Sequence, residues 1–156
     1  MEIAIQGSQG STGNSEGEVL VCSKPFEFGD ADPKTGIINI PGHELEGQTV
    51  KDKIVIFPCG CGATTEEWSL YVLKKFGTAP KAVVTMSSYP CACIGGIIAG
   101  IPMVSGFDEN LLRLVQNGDR ASIDAEKRIV RITKSCNRSL IPRESRDGER
   151  YARGED

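Results

Sequence analysis

Cysteines and glycines at one short turn are the groups in this sequence whose types and spacing most clearly allow chemistry. Residues 59–62 read Cys-Gly-Cys-Gly and directly follow an apolar, β-branched run at 54–57 that is typical of a buried strand. The two glycines allow a tight turn, and a helix is predicted just after it. Free backbone N–H groups at a helix start favour a phosphate, a carboxylate or a developing oxyanion. The pattern predicts an anion-binding turn, although many α/β proteins have such a turn without a ligand.

The helix after this turn is indicated by its start and stop signals. Thr64 and Glu67 form a T-x-x-E pair, which predicts a capping box at the helix start. Gly77 ends the predicted helix and Pro80 prevents its resumption. Apolar residues recur at every fourth position, so one face is predicted to be apolar. That predicted face consists of Trp68, Val72 and Phe76.

Four of the six cysteines lie in two predicted loops. Cys59 and Cys61 follow the first buried strand, and Cys91 and Cys93 follow a second one predicted at 81–86. If both strands end at one edge of a sheet, four thiols come close enough to hold zinc or an iron–sulfur cluster. The C-x-C spacing is weaker than C-x-x-C, and unligated thiols in a pocket or core are the alternative. We expect no metal in this chain and keep the four-thiol site as the alternative.

The remaining cysteines and the histidine carry weaker signals. Cys22 and Cys136 have no partner by spacing, so both are predicted to be structural. His43 is the only histidine in the sequence. Without a second histidine, a surface turn residue is a better interpretation of His43 than a ligand or a catalytic group.

Composition excludes several classes of function. The chain has 156 residues and a net charge of -3, enough length for one domain with a real core and no excess of basic residues for nucleic acid. No window approaches the roughly 18 apolar residues of a membrane span. The first residues lack the pattern of a secretory signal, so we expect a cytoplasmic protein. Its six cysteines are then predicted to be thiols or metal ligands rather than a disulfide framework.

The order of elements predicts an α/β fold. A short parallel strand–helix–strand core lies in the middle, flanked by β hairpins, in a mixed β/β/α architecture. Residues 25–36 form a long loop that is either functional or a solvated connection. One domain is predicted over 1–135, and the polar residues 136–156 are predicted to be a surface tail. Other strands are predicted at 3–5, 18–22, 37–40 and 102–104, a hairpin at 122–133, a helix at 107–117, and a helix or tight turn at 91–100.

Several short motifs, taken in order, resemble the small subunit of aconitase X, a swivelling β/β/α domain like the mobile domain of aconitase. The matching motifs lie at 17–20, 25–36, 42–47 (GHELEG), 53–58, 60–62 (Gly-x-Gly), 79–83 and 95–104. The resemblance implies a hydro-lyase that is inactive without its large subunit and dehydrates a small hydroxy acid of the mevalonate 5-phosphate or cis-3-hydroxy-L-proline class. It also implies a heterodimer in which the large subunit carries an iron–sulfur cluster, with no cofactor in this chain.

The resemblance further implies a catalytic serine just after the Gly-x-Gly turn, and here this chain departs from the family. The serine position is Ala63, which has no exchangeable proton on its side chain. Thr64 follows and is the candidate base. Gly60, Gly62, Ala63, Thr64 and Thr65 are the expected substrate-binding residues. The alternative is a non-catalytic binding or regulatory module that kept the fold and lost the serine.

Overall fold

A computed structural model describes residues 1–62, 65–87 and 90–135. In these ranges the chain forms one sheet of eight strands with three α-helices and a single 3₁₀ turn. The strands are β1 (Glu2–Gln6), β2 (Gln9–Gly10), β3 (Asn14–Val21), β4 (Lys53–Phe57), β5 (Ala82–Thr85), β6 (Met103–Ser105), β7 (Arg120–Asp124) and β8 (Ile129–Thr133). The helices are α1 (Glu66–Phe76), α2 (Pro90–Ala99) and α3 (Asn110–Leu114), and the 3₁₀ turn is Phe28–Asp30.

The centre of the sheet is parallel and its flanks are antiparallel. The strand order is β1-β8-β7-β3-β4-β5-β6-β2, and β3, β4, β5 and β6 pair in parallel. The β7–β8 hairpin pairs with β3 on one side and β1 on the other, and β2 pairs with β6. The predicted parallel core with flanking hairpins is therefore confirmed, and 91–100 is a helix.

The two edges of the sheet come together at the dipeptide that joins β1 to β2. These strands lie at opposite ends of the strand order but are separated by only Gly7 and Ser8. Gly7 donates its N–H to Arg128 O at 2.8 Å, and Ser8 donates to Ser105 O at 3.0 Å. A Cβ at position 7 would lie 2.8 Å from Ser105 O, so only glycine allows this close approach. The sheet is thus strongly curved, with a concave and a convex face.

Each face of the parallel strands contacts its own hydrophobic cluster. Ile54 and Ile56 belong to one cluster with α3 and the hairpin, whereas Val55 and Phe57 belong to the other with α1 and α2. Neighbouring residues of β4 belong to different clusters because successive side chains of a strand point to opposite faces of the sheet. Because both faces are covered, β4 is a continuous apolar run, as the sequence predicts.

The buried face of α1 is not the predicted one. Leu70 and Leu73 are buried, whereas Trp68 is 63% exposed and Phe76 is 54% exposed. A spacing of four residues identifies an apolar stripe on a helix but not whether that stripe faces the sheet. The helix and its end are confirmed: Gly77 adopts φ 72°, the left-handed conformation of a helix C-terminus.

Two further elements differ from their predicted form. Residues 37–40 are not a strand, because their pairing is limited to the isolated bridges Ala31↔Ile38 and Ile37↔Thr49. Backbone turns follow at 40–48, where His43 N donates to Ile40 O, Glu46 N to His43 O and Gln48 N to Leu45 O. The helix predicted at 107–117 is shorter, Asn110–Leu114. The predicted tail at 136–156, which includes Cys136, lies outside the described residues, so the domain boundary stays a prediction. No helix in the described ranges is long and apolar enough to cross a membrane.

Candidate functional site

The loops that follow β4 and β5 meet at the carboxyl edge of the sheet. Pro58 O accepts hydrogen bonds from Met86 N at 3.1 Å and Ser87 N at 3.0 Å. The predicted meeting of these two loops is therefore confirmed. Gly62 has φ 89°, in the region that favours glycine, so the turn needs this residue to reach α1.

The predicted substrate-binding residues surround this turn. Cys61 and Gly62 are exposed, so the turn presents its backbone at the surface. Thr65, and not Thr64, occupies the N-cap position of α1, and its side chain makes no capping hydrogen bond. With Thr65 as the N-cap, the third helical residue is Trp68 and not Glu67, so no capping box forms from this N-cap. Ala63 and Thr64 lie outside the described residues, so their roles stay predictions.

The long loop at 25–36 is held against both ends of α1. Phe28 donates its N–H to Glu66 Oε1 at 2.8 Å at the start of the helix. Thr78 donates its hydroxyl to Pro33 O at 2.6 Å just beyond the end of the helix. The inner side of this loop therefore lies over α1, whereas Pro33, Lys34 and Thr35 are exposed, so the functional and the solvated interpretation both stay predictions.

Two aromatic side chains anchor the same loop in the core beneath it. The rings of Phe26 and Phe28 pack edge to face at 5.3 Å, and each contacts the ring of Phe57 at the end of β4. Phe26 also donates its N–H to Cys59 O at 3.1 Å. The loop, the turn and the end of β4 are consequently fixed with respect to one another.

Acidic side chains surround the turn on the loop side. Burial, followed by the charges of Glu27 and Asp30, raises the pKa of the Cys61 thiol, and Glu66 adds to the effect. The pKa of Asp30 is itself raised, chiefly by burial and then by Glu27. The local field is therefore negative and opposes the attraction for anions that the start of a helix otherwise provides.

The four thiols do not form a ligand group in the described part of the chain. Cys61 is exposed, and Cys59, Cys91 and Cys93 are half-buried and unpaired. The single group of three or more ligand atoms within 4.8 Å, in these ranges, is Cys22 with His43 and Glu44. The predicted alternative of a four-thiol metal site has no support from this geometry.

The Cys22, His43 and Glu44 cluster is arranged as a hydrogen-bonded anchor. His43 Nδ1 accepts the Leu45 N–H at 3.1 Å, so the neutral ring carries its proton on Nε2, the atom 3.8 Å from the thiol. Glu44 Oε1 accepts the N–H groups of Ser23 at 2.8 Å and Lys24 at 3.1 Å. A metal would need the Nε2 lone pair and a thiolate, whereas burial raises the pKa of Cys22 to about 12.

Two acidic residues begin α1 just after the turn, and of these the sequence pattern singled out only Glu67, as a partner in the predicted capping box. Glu66 is only 1% exposed, and its side chain holds the loop at Phe28. Glu67 has an oxygen, Oε2, that is shielded from solvent and has no hydrogen-bond partner within the described ranges. Two adjacent acidic residues at a predicted helix start, just beyond a possible ligand-binding turn, were the available signal.

Comparison with known proteins finds a matching family model, similar sequences and similar structures. A model of the aconitase X swivel domain matches residues 4–132. A phosphomevalonate dehydratase small subunit of Methanococcoides burtonii is 38% identical over 121 residues, covering 77% of this chain and 88% of that protein. A phosphomevalonate dehydratase small subunit of Thermococcus gammatolerans is 39% identical over 129 residues, covering 82% of this chain and 96% of that protein. The holo-form crystal structure of Thermococcus kodakaraensis aconitase X is similar with a TM-score of 0.78 and 35% identity, covering 85% of this chain and 99% of that chain.

Proposed function

The chain belongs to the family of aconitase X swivel domains, and from this premise we propose that it is the small subunit of a two-subunit hydro-lyase that dehydrates a small hydroxy acid. The observation that carries the proposal is the family match over residues 4–132. Relatives of similar extent, whose names describe the small subunit of a dehydratase, support it.

A large subunit completes the site in this proposal. Cys61 and Gly62 are exposed, so a second surface is needed to enclose a substrate and exclude water. We therefore expect this chain to be inactive alone and to form a heterodimer. By resemblance, the large subunit holds an iron–sulfur cluster, which would supply a Lewis acid for the leaving hydroxyl group when bound.

The residues around the turn are proposed to contact the substrate. Gly60 and Gly62 form the turn, and the backbone N–H groups of Ala63, Thr64 and Thr65 are the expected donors to a substrate oxygen. Ala63 cannot exchange a proton through its methyl group. Thr64 offers a hydroxyl in the adjacent position and is the candidate base that the sequence suggests.

The substrate is proposed to be a β-hydroxy acid. Mevalonate 5-phosphate and cis-3-hydroxy-L-proline both carry the leaving hydroxyl on the carbon β to the carboxyl group, and the names of the relatives favour the first. Glu27 and Asp30 would repel a phosphate beside the turn, so we assign the phosphate to the partner's side of the site. We place the enzyme in the cytoplasm, where its unpaired thiols stay reduced.

A binding or regulatory module without catalytic activity is the second candidate function. The observation that favours it is Ala63, because the family's proton-transferring hydroxyl is missing at this position. Such a module would still bind the large subunit but would not support turnover.

Anaerobic co-expression with the large subunit tests the two candidates. Mevalonate 5-phosphate and cis-3-hydroxy-L-proline are supplied separately, and the unsaturated product is measured by mass spectrometry. Dehydration of either substrate by the purified complex supports the hydro-lyase. A complex that forms with an intact cluster, binds either substrate and makes no product supports the non-catalytic module.

A further inference from the structure

The surface of α2 differs from that of an ordinary amphipathic helix. Its buried residues are small, with alanine or glycine at positions 92, 95, 96 and 99. Its exposed residues are all apolar: Pro90, Ile94, Ile97 and Ile98. The three isoleucines are 49%, 69% and 58% exposed, and their spacing places them on one face of the helix. The large apolar side chains thus point away from the core, the reverse of the usual arrangement.

Close packing explains the small residues on the buried face of α2. A Cβ on Gly95 would lie 2.7 Å from the Cα of Glu67, and a Cβ on Gly96 would overlap the Met103 side chain. These glycines therefore let α2 pack against the first turn of α1 and against β6. The fold does not require isoleucine on the outer face, where about half or more of each side chain is exposed.

Helix propensity does not explain the isoleucines either. Isoleucine is a weaker helix former than alanine, lysine or glutamate, which are the favoured residues at exposed helical positions. Charged residues are missing from a wider segment as well, since none lies between Lys81 and Asp108 in the sequence. The core of a protein–protein interface is depleted of charged residues in this way. The outer face of α2 therefore has the composition of a contact surface.

The outer face of α2 begins beside the candidate turn. The loop that leads from β5 to α2 donates the N–H groups of Met86 and Ser87 to Pro58 O, directly before the turn. Pro90, the first residue of α2, is exposed. A subunit that encloses the turn consequently lies next to the start of α2.

The size and charge of this face favour the large subunit over other partners. Its exposed apolar residues amount to roughly 300 Å², whereas a specific complex covers about 800 Å² on each partner. A second copy of this chain seated on the isoleucines alone would bury too little surface, while a subunit that also covers the turn supplies the remaining area. A membrane surface is disfavoured because α2 has no lysine or arginine to contact lipid headgroups.

We propose that the outer face of α2 is part of the interface with the large subunit and packs against an apolar surface there. The inference rests on the proposed function, because it states where the partner of that function binds. Ile94, Ile97 and Ile98 are buried by assembly in this arrangement. They set the affinity between the two subunits and take no part in the chemistry at the turn.

Substitutions of the isoleucines test the proposal through the Kd for the large subunit, measured anaerobically by titration calorimetry. Ile97→Asp places a charge in the proposed contact, and Ile98→Ser removes apolar surface without adding charge. We expect the Kd to rise about 30-fold or more for Ile97→Asp and about five- to tenfold for Ile98→Ser. Leu114→Asp is the matched control, because Leu114 is 42% exposed on α3, which covers the opposite face of the sheet. Its Kd should stay within about threefold of wild type.

Turnover separates an effect on assembly from an effect on catalysis. When the Ile98→Ser chain saturates the large subunit, kcat should stay within about threefold of wild type. The concentration of this chain that gives half-maximal turnover should rise in step with the Kd. A loss of kcat at saturation with an unchanged Kd would contradict the inference.

Two further results would overturn the inference. One is a Kd within about threefold of wild type for both isoleucine variants, in chains that melt like wild type. The other is a wild-type chain that dimerises alone, with Ile97→Asp abolishing the dimer but not the binding of the large subunit, because a second copy would then occupy this face. A wild-type chain that does not bind the large subunit at all would instead contradict the proposed function, and this inference with it.

Discussion

At the scale of single residues, the main feature is that alanine stands at position 63, where the resemblance predicts a serine. Ala63 removes the hydroxyl that the resemblance predicts, while the glycine turn before it is kept, with φ 89° at Gly62. Glu27, Asp30 and Glu66 make the field at the turn negative, which raises the pKa of Cys61. A neighbouring hydroxyl would be harder to ionise in this field, whereas a carboxylate is already charged at neutral pH.

Restoring the serine tests whether the site has decayed or has been rebuilt. If proton transfer has moved to Thr64 or to the large subunit, Ala63→Ser should leave kcat of the assembled complex within about threefold, because the added oxygen is not the acceptor. The measurement is turnover under anaerobic conditions with an intact cluster. A rise of about tenfold or more would show a decayed catalyst that still lacks its serine.

Individual residues of the site could be predicted only in part. The glycine turn and the meeting of two loops follow from local rules of strand ends and turns. The environment of Glu66 depends on a loop that begins about forty residues earlier in the chain and reaches α1 only through tertiary packing. The spacing of residues in a sequence does not reveal such a contact, so the anchoring role of Glu66 could not be predicted.

At the scale of elements, α1 shows why periodicity identifies a helix better than its orientation. Trp68, Val72 and Phe76 have the required spacing, but Leu70 and Leu73 are the residues that contact the core. Two stripes of apolar residues lie on this helix, and the one with Leu70 and Leu73 packs against the core. The exposed stripe is left on the outer surface of α1.

Two substitutions test which face of α1 is buried, because they should change the free energy of unfolding by different amounts. Leu73→Ala removes a fully buried side chain and should cost about 2–5 kcal/mol in the free energy of unfolding. Phe76→Ala removes a larger side chain that is 54% exposed and should cost less than about 1 kcal/mol. Urea unfolding of the isolated chain measures both. A larger loss for Phe76→Ala than for Leu73→Ala would support the face predicted from sequence.

The anchor at Cys22, His43 and Glu44 makes stability depend on pH. Burial alone would raise the pKa of Glu44, but hydrogen bonds from Cys22 and Ser23 outweigh it and lower the pKa below the ordinary value of 4.5. The ionised form is therefore favoured by folding. Its contribution is complete above pH 4.5 and is lost as the pH falls through the lower value in the folded state.

Glu44→Gln should consequently lower the melting temperature at pH 7, and the difference from wild type should shrink as the pH falls below 4.5. Melting curves of both proteins between pH 3 and pH 7 provide the measurement, with Glu126→Gln on the surface as the control. A constant difference across this range, or one that grows toward acid pH, would show that the Glu44 charge does not stabilise the fold.

At the scale of the whole molecule, different elements cover the two faces of the curved sheet. The hairpin β7–β8 and α3 cover one face, and α1, α2 and the loop at 25–36 cover the other. The candidate turn lies at the edge of the face that α1, α2 and the loop cover, and it is open to solvent. This exposure agrees with the proposal that a large subunit encloses the turn.

The overall architecture could be predicted further than the site. Buried β-branched runs, a glycine at the end of α1 and a closing hairpin are local signals that agree with the global fold. The meeting of β1 and β2 edges could not be predicted, because it depends on close backbone contacts at Gly7 that composition does not reveal. The role of the large subunit is likewise absent from any local pattern and enters through the resemblance.

Turnover of the large subunit with and without this chain tests the central claim most directly. Both proteins are purified anaerobically, the cluster is quantified, and formation of the unsaturated acid from mevalonate 5-phosphate or cis-3-hydroxy-L-proline is followed over time. The account predicts dehydration of at least one substrate only when both chains are present, at a rate that saturates at one copy of this chain per large subunit. Equal rates with and without this chain, or no product from a complex that binds substrate and retains its cluster, would contradict it.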